Sequence, residues 1–244
     1  MEKLVQLSDE LNAFTVQFHD SLLDEIRSSY KQELHAILTN PENQHIFEGG
    51  TRKGGSVGQN NTEYFLLSYG TYPLFWLSGN TEKTYQIYRR FFDALEIEDE
   101  IKLLVDHQEK IVMYCGFLVI GNRAPSSLWH VDYRPGANAY TLITPLFEPA
   151  PDHGNLLYKD NDELDRIYPY ELGKAIIFGE QFIHSTEPYN LSKEIRVLVS
   201  MTFGTDKIEY WDILEKTIGN QSSYFILPCG HVAGTCHCRT SALK

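Results

Sequence analysis

Cysteine is scarce. Four in 244 residues cannot staple a chain of this length, which excludes a disulfide scaffold and points to a reducing compartment. Positive charge is also short: Lys and Arg total 21 against 33 Asp and Glu, a formal net charge of −12. Such a surface repels phosphate backbones and anionic headgroups, so neither nucleic acid nor an acidic membrane is an expected partner. No window approaches the ~18 apolar residues of a bilayer-spanning helix. The opening "MEKLVQLSDELNAF" has no basic start followed by an apolar run, so it does not read as a secretion signal. The expected location is the cytoplasm. No internal repeat is visible.

What is present suits a single enzyme-sized core. Hydrophobic residues make up 42% and aromatics 13%, ordinary values for a globular chain. The chain divides into three stretches within one domain: helical support over 1–108, a β-rich core over 109–205, and a C-terminal helix with a tail over 206–244. In the first, Leu11, Phe14, Phe18, Leu22, Ile26, Leu34 and Leu38 recur near helical spacing, with Ser8 as cap and a weak point at Ser28–Tyr30. Residues 48–63, "EGGTRKGGSVGQNNTE", are too rich in Gly and Asn to hold regular structure cheaply. They read as a mobile loop, either a plain connector or a lid. Residues 64–77 are aromatic and fit a strand or buried turn. Thr81 caps an amphipathic helix over 81–95, whose apolar face is Tyr85, Ile87, Tyr88, Phe91, Phe92 and Leu95. A short helix follows over 101–105.

From Lys110 the period changes. "KIVMYCGFLVIG" is β-branched and aromatic, and after it come "SLWHVDY", "AYTLITPLF", "GNLLYK", "KAIIFG", "IHSTEPY" and "IRVLVSMTF". Short strand-like runs without intervening helices predict an antiparallel sandwich or jelly roll. A helix over 206–218 is expected next, capped by Asp206 and ended by Gly219.

Chemistry concentrates in "SSLWHVDYRPG", residues 126–136. If this run is strand-like, His130 and Asp132 project from one face and can share a cation. Another imidazole–carboxylate group, His107-Gln108-Glu109, reads as a solvated helix end. His184 follows a buried strand and a turn, and Arg196 stands in the next strand. Counted by twos, Ile195, Val197, Val199, Met201 and Phe203 form an apolar face, while Arg196, Leu198, Ser200 and Thr202 form a wetter one. An arginine inside a sheet needs an anion.

This order of residues, His130-x-Asp132, then "DHGNLLY", "GKAIIF", His184 and Arg196, resembles the Fe(II)/2-oxoglutarate-dependent dioxygenases, over roughly residues 110–205. The resemblance implies a mainly β fold, a double-stranded β-helix (jelly roll, cupin-like), flanked by the N-terminal helices and the C-terminal helix. It implies Fe(II) held by His130, Asp132 and His184, with 2-oxoglutarate and O2 as co-substrates and Arg196 on the distal carboxylate. Two imidazoles and a carboxylate leave three iron positions open. A bidentate guanidinium suits a carboxylate. The products implied are succinate, CO2 and an oxidised, typically hydroxylated, C–H bond. A halogenating relative would have a small residue at 132. Leu198 breaks the Arg-x-Ser pattern of some relatives, so the second donor to the keto acid is open among Tyr140, Thr141, Thr144 and Ser200.

Trp129, Tyr133 and Arg134 adjoin the first motif and are the expected substrate contacts. The leading substrate class is a small metabolite, an amino acid or natural-product intermediate. A protein side chain is the alternative within the same chemistry, and a cupin-like metal-binding protein the alternative outside it. The missing H-x-H pattern counts against the last. The tail "LPCGHVAGTCHCRTS" holds Cys229, His231, Cys236, His237 and Cys238. These are zinc ligand types, so a second metal site at Cys229, His231, Cys236 and Cys238 is a further expectation, set against a disordered or merely packed tail.

Overall fold

The computed structural model describes residues 3–43, 56–57, 64–69, 72–79 and 81–238, with backbone alone for 56–57, 64–69 and 72–74. The chain opens with strands β1 (Val5–Gln6) and β2 (Ala13–Gln17), a 3-10 turn at Asp20–Leu23, and helices α1 (Asp24–Glu33) and α2 (His35–Thr39). Strands β3 (Ser56–Val57), β4 (Tyr64–Tyr69) and β5 (Tyr72–Gly79) lead to helices α3 (Glu82–Leu95) and α4 (Glu98–Lys102). Then come β6 (Val112–Gly121), β7 (Ala139–Pro145), β8 (Leu156–Lys159), β9 (Asp165–Tyr168), β10 (Lys174–Phe178), β11 (His184–Thr186) and β12 (Arg196–Gly204). A 3-10 turn at Ile208–Tyr210 runs into helix α5 (Trp211–Gln221).

The strands form two antiparallel sheets. A nine-stranded sheet has the order β1-β2-β10-β7-β12-β6-β5-β4-β3, and a three-stranded one the order β11-β8-β9. From β7 the chain passes to the small sheet, returns at β10, crosses again at β11 and returns at β12. That alternation is the double-stranded β-helix. Helices α1 to α3 cover one face of the large sheet. Their core includes Ile26, Tyr30, Tyr88, Phe91 and Phe92, packed with Val197, Val199, Met201 and Phe203 of β12. The opposite face turns Ile143, Ile176, Phe178 and Leu198 toward Leu156, Tyr168 and Phe182. The period-2 split read along β12 therefore separates the helical layer from the interior of the roll.

Helix α3 forms where its cap and apolar face predict: Thr81 Oγ1 accepts from the Thr84 amide at 3.3 Å in a reciprocal capping box. The N-terminal expectation needs correction. Residues 13–17, expected in a helix, pair antiparallel with β10, Val16 opposite Ala175. "AFTVQF" suits both periods, and the free edge of β10 decides. The helix break falls at Leu34, not at Ser28–Tyr30. Within 1–108, β1 to β5 extend the large sheet beside the helices. The expected loop or lid over 48–63 lies outside the described residues, save for the backbone of β3, which pairs with β4.

The C-terminal helix also starts later than expected. Asp206 caps nothing in it. Its carboxylate accepts from the backbone amides of Gln108, Glu109 and Lys110 at 2.6, 2.7 and 3.0 Å, pinning the turn before β6. Gly219 lies inside α5 rather than ending it. Among the described residues no helix is long and apolar enough to cross a membrane.

Candidate metal centre and its cavity

His184 opens β11, and its backbone bonds His130 in both directions, each N–H donating to the other's carbonyl at 3.0 Å. This bridge, not a continuous strand, brings the two imidazoles together. "SLWHVDY" is otherwise irregular, and Asp132 lies in the bend beyond the bridge. The ring centroids of His130 and His184 are 4.3 Å apart. Asp132 Oδ1 sits 3.6 Å from His130 Nε2 and 3.7 Å from His184 Nε2. One ligand atom from each residue lies within 4.8 Å of the others.

Each donor is oriented from behind. His130 Nδ1 lies 2.8 Å from the Leu128 carbonyl, and His184 Nδ1 lies 3.0 Å from that of Phe182. A carbonyl can only accept, so both Nδ1 atoms carry the proton and both Nε2 lone pairs face the centre. Asp132 Oδ2 accepts from Thr141 Oγ1 at 2.6 Å, which leaves Oδ1 toward the histidines. The Asp132 carbonyl accepts from Thr217 Oγ1 of α5 at 2.9 Å. Burial, reinforced by the neighbouring His130 and opposed by the Asp132 carboxylate, pushes His184 down to about 4. Its imidazole is therefore neutral at physiological pH, as a ligand requires. His184 is 4% exposed, whereas the His130 side chain is 46% exposed and opens to solvent.

The trio stands in a cavity of about 460 Å³ between the two sheets, a volume suited to small molecules. Thr141, Ile143, Leu198 and Ser200 line it from the large sheet, Leu156 and Thr186 from the small one. The outer part meets Leu128, Trp129 and Val131 on one side and Lys216, Thr217, Asn220 and Gln221 of α5 on another. Arg196 lies one step beyond Leu198 on the same strand face and is 3% exposed; it lines not this cavity but a second one of about 1060 Å³, which shares Tyr170 and Leu198 with it. Its Nη1 donates to the Gly154 carbonyl at 2.7 Å and its Nη2 to Thr186 Oγ1 at 3.4 Å, with the Tyr189 ring 5.2 Å from the guanidinium carbon. Its Nε has no partner, and among the described residues no carboxylate pairs with it. Gly154 is required at this approach: a Cβ there would lie 2.1 Å from the Glu187 carbonyl oxygen.

No protein-family model and no curated protein sequence matches the chain. Solved structures do. AviO1 from Streptomyces viridochromogenes Tue57 superposes with a TM-score of 0.52 at 13% identity, over 79% of this chain and 89% of that one. EctD from S. alaskensis, in its apoform, superposes with a TM-score of 0.52 at 12% identity, over 84% of this chain and 81% of that one. The chain shares their fold. At this identity the likeness is one of fold alone.

Several expected site residues stand elsewhere on this β-helix. Thr141 lines the cavity but is bonded to Asp132, so its hydroxyl proton is committed there. Thr144 faces away from the cavity and donates to the Lys174 carbonyl at 2.9 Å. Tyr140 donates to Asn12 Oδ1 at 2.8 Å. Ser200 lines the cavity on the Arg196 face. Tyr133 does not reach the mouth. It is 1% exposed, and its hydroxyl donates to the Tyr140 carbonyl at 3.2 Å. Arg134 is exposed and is not among the residues lining the cavity. Trp129 does line it, with Lys159 Nζ 4.7 Å from its ring centroid. Thr186, Tyr170 and the polar face of α5 line it as well. The sequence reading missed these three; only Thr186, two residues after His184 and so on the same strand face, was signalled by spacing.

Proposed function

We propose that this chain is an Fe(II)- and 2-oxoglutarate-dependent oxygenase acting on a small metabolite such as an amino acid or natural-product intermediate. The observation that carries the proposal is the convergence of two Nε2 lone pairs and one carboxylate oxygen, each oriented from behind, in a cavity between the sheets. Two imidazoles and one carboxylate fit Fe(II). His130, Asp132 and His184 would hold it. Bound there with the keto acid, iron supplies O2 activation, with oxidative decarboxylation to succinate and CO2 coupled to oxidation of a substrate C–H bond.

The chain's own residues supply the rest. Arg196 is a buried cation with an unpartnered Nε and no carboxylate beside it among the described residues. The distal carboxylate of 2-oxoglutarate meets that need. Thr186, bonded to Arg196 and facing the cavity, would be the second donor. Thr141 and Thr217 hold Asp132 by side chain and backbone. Ile143, Leu156 and Leu198 keep water from the interior. Lys216, Asn220 and Gln221 offer polar contacts where a substrate would enter, opposite Leu128, Trp129 and Val131.

Anaerobic addition of Fe(II) and then 2-oxoglutarate is expected to raise a weak visible charge-transfer band, and aerobic incubation to release succinate slowly without prime substrate. His184→Ala should abolish both. Arg196→Gln should leave metal binding in place and raise the 2-oxoglutarate requirement ~30-fold or more, the cost of losing a charge-assisted carboxylate contact. Unchanged succinate release in His184→Ala refutes the proposal. A succinate screen across amino acids, other metabolites and peptides identifies the substrate and tests the small-metabolite class against protein side chains.

A further inference from the structure

A second group of ligand-type side chains lies outside the cavity. Cys229, His231, Cys236 and Cys238 bring one ligand atom each to within 4.8 Å of one another, and none of the four lines the cavity. The spacings are Cys229 Sγ to Cys236 Sγ 3.4 Å, and His231 Nδ1 to the sulfurs of Cys229, Cys236 and Cys238 3.4, 3.8 and 3.6 Å. A tetrahedral zinc ion, about 2.3 Å from sulfur and 2.0–2.1 Å from nitrogen, sets sulfur and nitrogen about 3.5–3.6 Å apart and two sulfurs about 3.8 Å apart. The observed separations, 3.4–3.8 Å, lie within a few tenths of an ångström of those values. They also exceed the ~2.05 Å of a disulfide by far, and none of the four cysteines, these three and Cys115, forms a disulfide.

The backbone is shaped for the same purpose. Gly230, directly after Cys229, turns at φ +81°. The Leu227 amide donates to the His231 carbonyl at 2.8 Å and closes the knuckle. The Cys238 amide donates to Cys236 Sγ at 3.2 Å, an N–H···S contact that stabilises a thiolate. His237, which stands between two of the thiols, is not one of the four.

We infer that this tail is a closed Cys3His zinc site. Four protein donors leave no open position, which is the mark of a structural rather than a catalytic zinc. Three soft thiolates and an imidazole favour zinc over a hard cation. Its task follows from its neighbours. Phe225, just before the knuckle, stacks on Trp211 of α5 at 5.5 Å, and the Ile226 amide donates to the Tyr114 carbonyl of β6 at 2.8 Å. Cys229, Ala233 and Cys236 pack on the same core as Trp211, Leu214 and Ile218. The zinc clamps the tail onto α5, and α5 presents Thr217 to Asp132. The inference does not depend on the function proposed for the cavity.

The test uses the full chain carrying His130→Ala and His184→Ala, which removes two donors from the other cluster. Purified under reducing conditions and dialysed against a mild chelator, it is expected to retain one zinc per chain by mass spectrometry of the metal. Adding Cys229→Ser and Cys236→Ser should remove it. Refilling the metal-stripped parent with Co(II) should give a thiolate-to-cobalt charge-transfer band and intense tetrahedral ligand-field absorption. This readout does not require the serine variants to fold. Absence of both zinc and the cobalt–thiolate band in the reduced parent would overturn the inference. So would zinc retention after the serine substitutions, or a metal-free Cys229–Cys236 disulfide seen as a mass lower by two hydrogens.

Discussion

Asp132 is held by a hydroxyl, and that hydroxyl can be removed without changing side-chain shape. Thr141 Oγ1, 2.6 Å from Asp132 Oδ2, is 1% exposed and fixes which carboxylate oxygen faces the histidines. Thr141→Val is expected to weaken Fe(II) binding ~10–100-fold, the usual loss when a partner behind a ligand is removed. Thr141→Ser should restore most of it. Metal titration by calorimetry with a redox-stable Mn(II) surrogate, together with an unchanged far-UV spectrum, separates this outcome from misfolding. The same residue shows why some positions are hard to read from sequence. Every residue of β7 is buried, so hydrophobicity does not alternate and cannot say which of Thr141 and Thr144 faces the cavity. Strand parity decides it: Thr141 and Ile143 face inward, and Thr144 turns to the Lys174 carbonyl.

Turns and helices are tied by interactions that periodicity does not carry. Asp206 collects three successive amides from residues 108–110. Burial pushes its carboxyl up, but the amides together outweigh burial and hold it below the ordinary carboxylate range. Asp206→Ala should cost about 1–2 kcal/mol, a partly solvated set of charge-assisted hydrogen bonds. In a chain of this size that lowers the Tm by about 2–8 °C. The sign with pH follows from the depressed value: the contribution is full above the unfolded carboxylate value and is lost as pH falls through the folded one. Urea unfolding of wild type and variant is therefore expected to converge at strongly acid pH. From sequence Asp206 reads as a helix cap because Asp is a favoured cap residue. Its real partners lie about a hundred positions away in the chain. By contrast, α3 was legible, since Thr81 and the apolar face of Tyr85, Tyr88, Phe92 and Leu95 are local signals.

Across the whole molecule, protons and metal compete for the same pocket. His184 is held near 4 against an ordinary ~6.5. Between those values the unfolded chain takes up a proton that the folded chain refuses. Stability of the metal-free chain is therefore expected to fall as pH drops from ~6.5 toward ~4, by up to about 1.4 kcal/mol per unit. Metal that binds the folded state alone should raise Tm at pH 7.5 and lose that effect over the same acid window. Thermal melts from pH 7.5 to 4.5, with and without Mn(II) and 2-oxoglutarate, check both. A His184→Gln chain should melt with a shallower pH slope and no metal-induced rise.

Within about 110–205 the short strand runs predicted an antiparallel sandwich or jelly roll, and the residue order supplied the resemblance to a double-stranded β-helix and the candidate site. Strand alternation along β12, the His130-x-Asp132 pair, His184 and Arg196 depend on local periodicity and on residue type, which a linear chain displays. Assembly settled the rest. His130 meets His184 through a two-way backbone bridge, not through strand parity around residue 130. β2 is a strand because the edge of β10 takes it up. Thr186 and α5 reach the cavity only because the small sheet and the C-terminal helix close on it. Cys229, His231, Cys236 and Cys238 lie side by side in a tail that packs on the same core as α5. Pairing partners, sheet edges and side-chain facing are relations between distant segments, and burial on both faces erases the alternation from which they could be read.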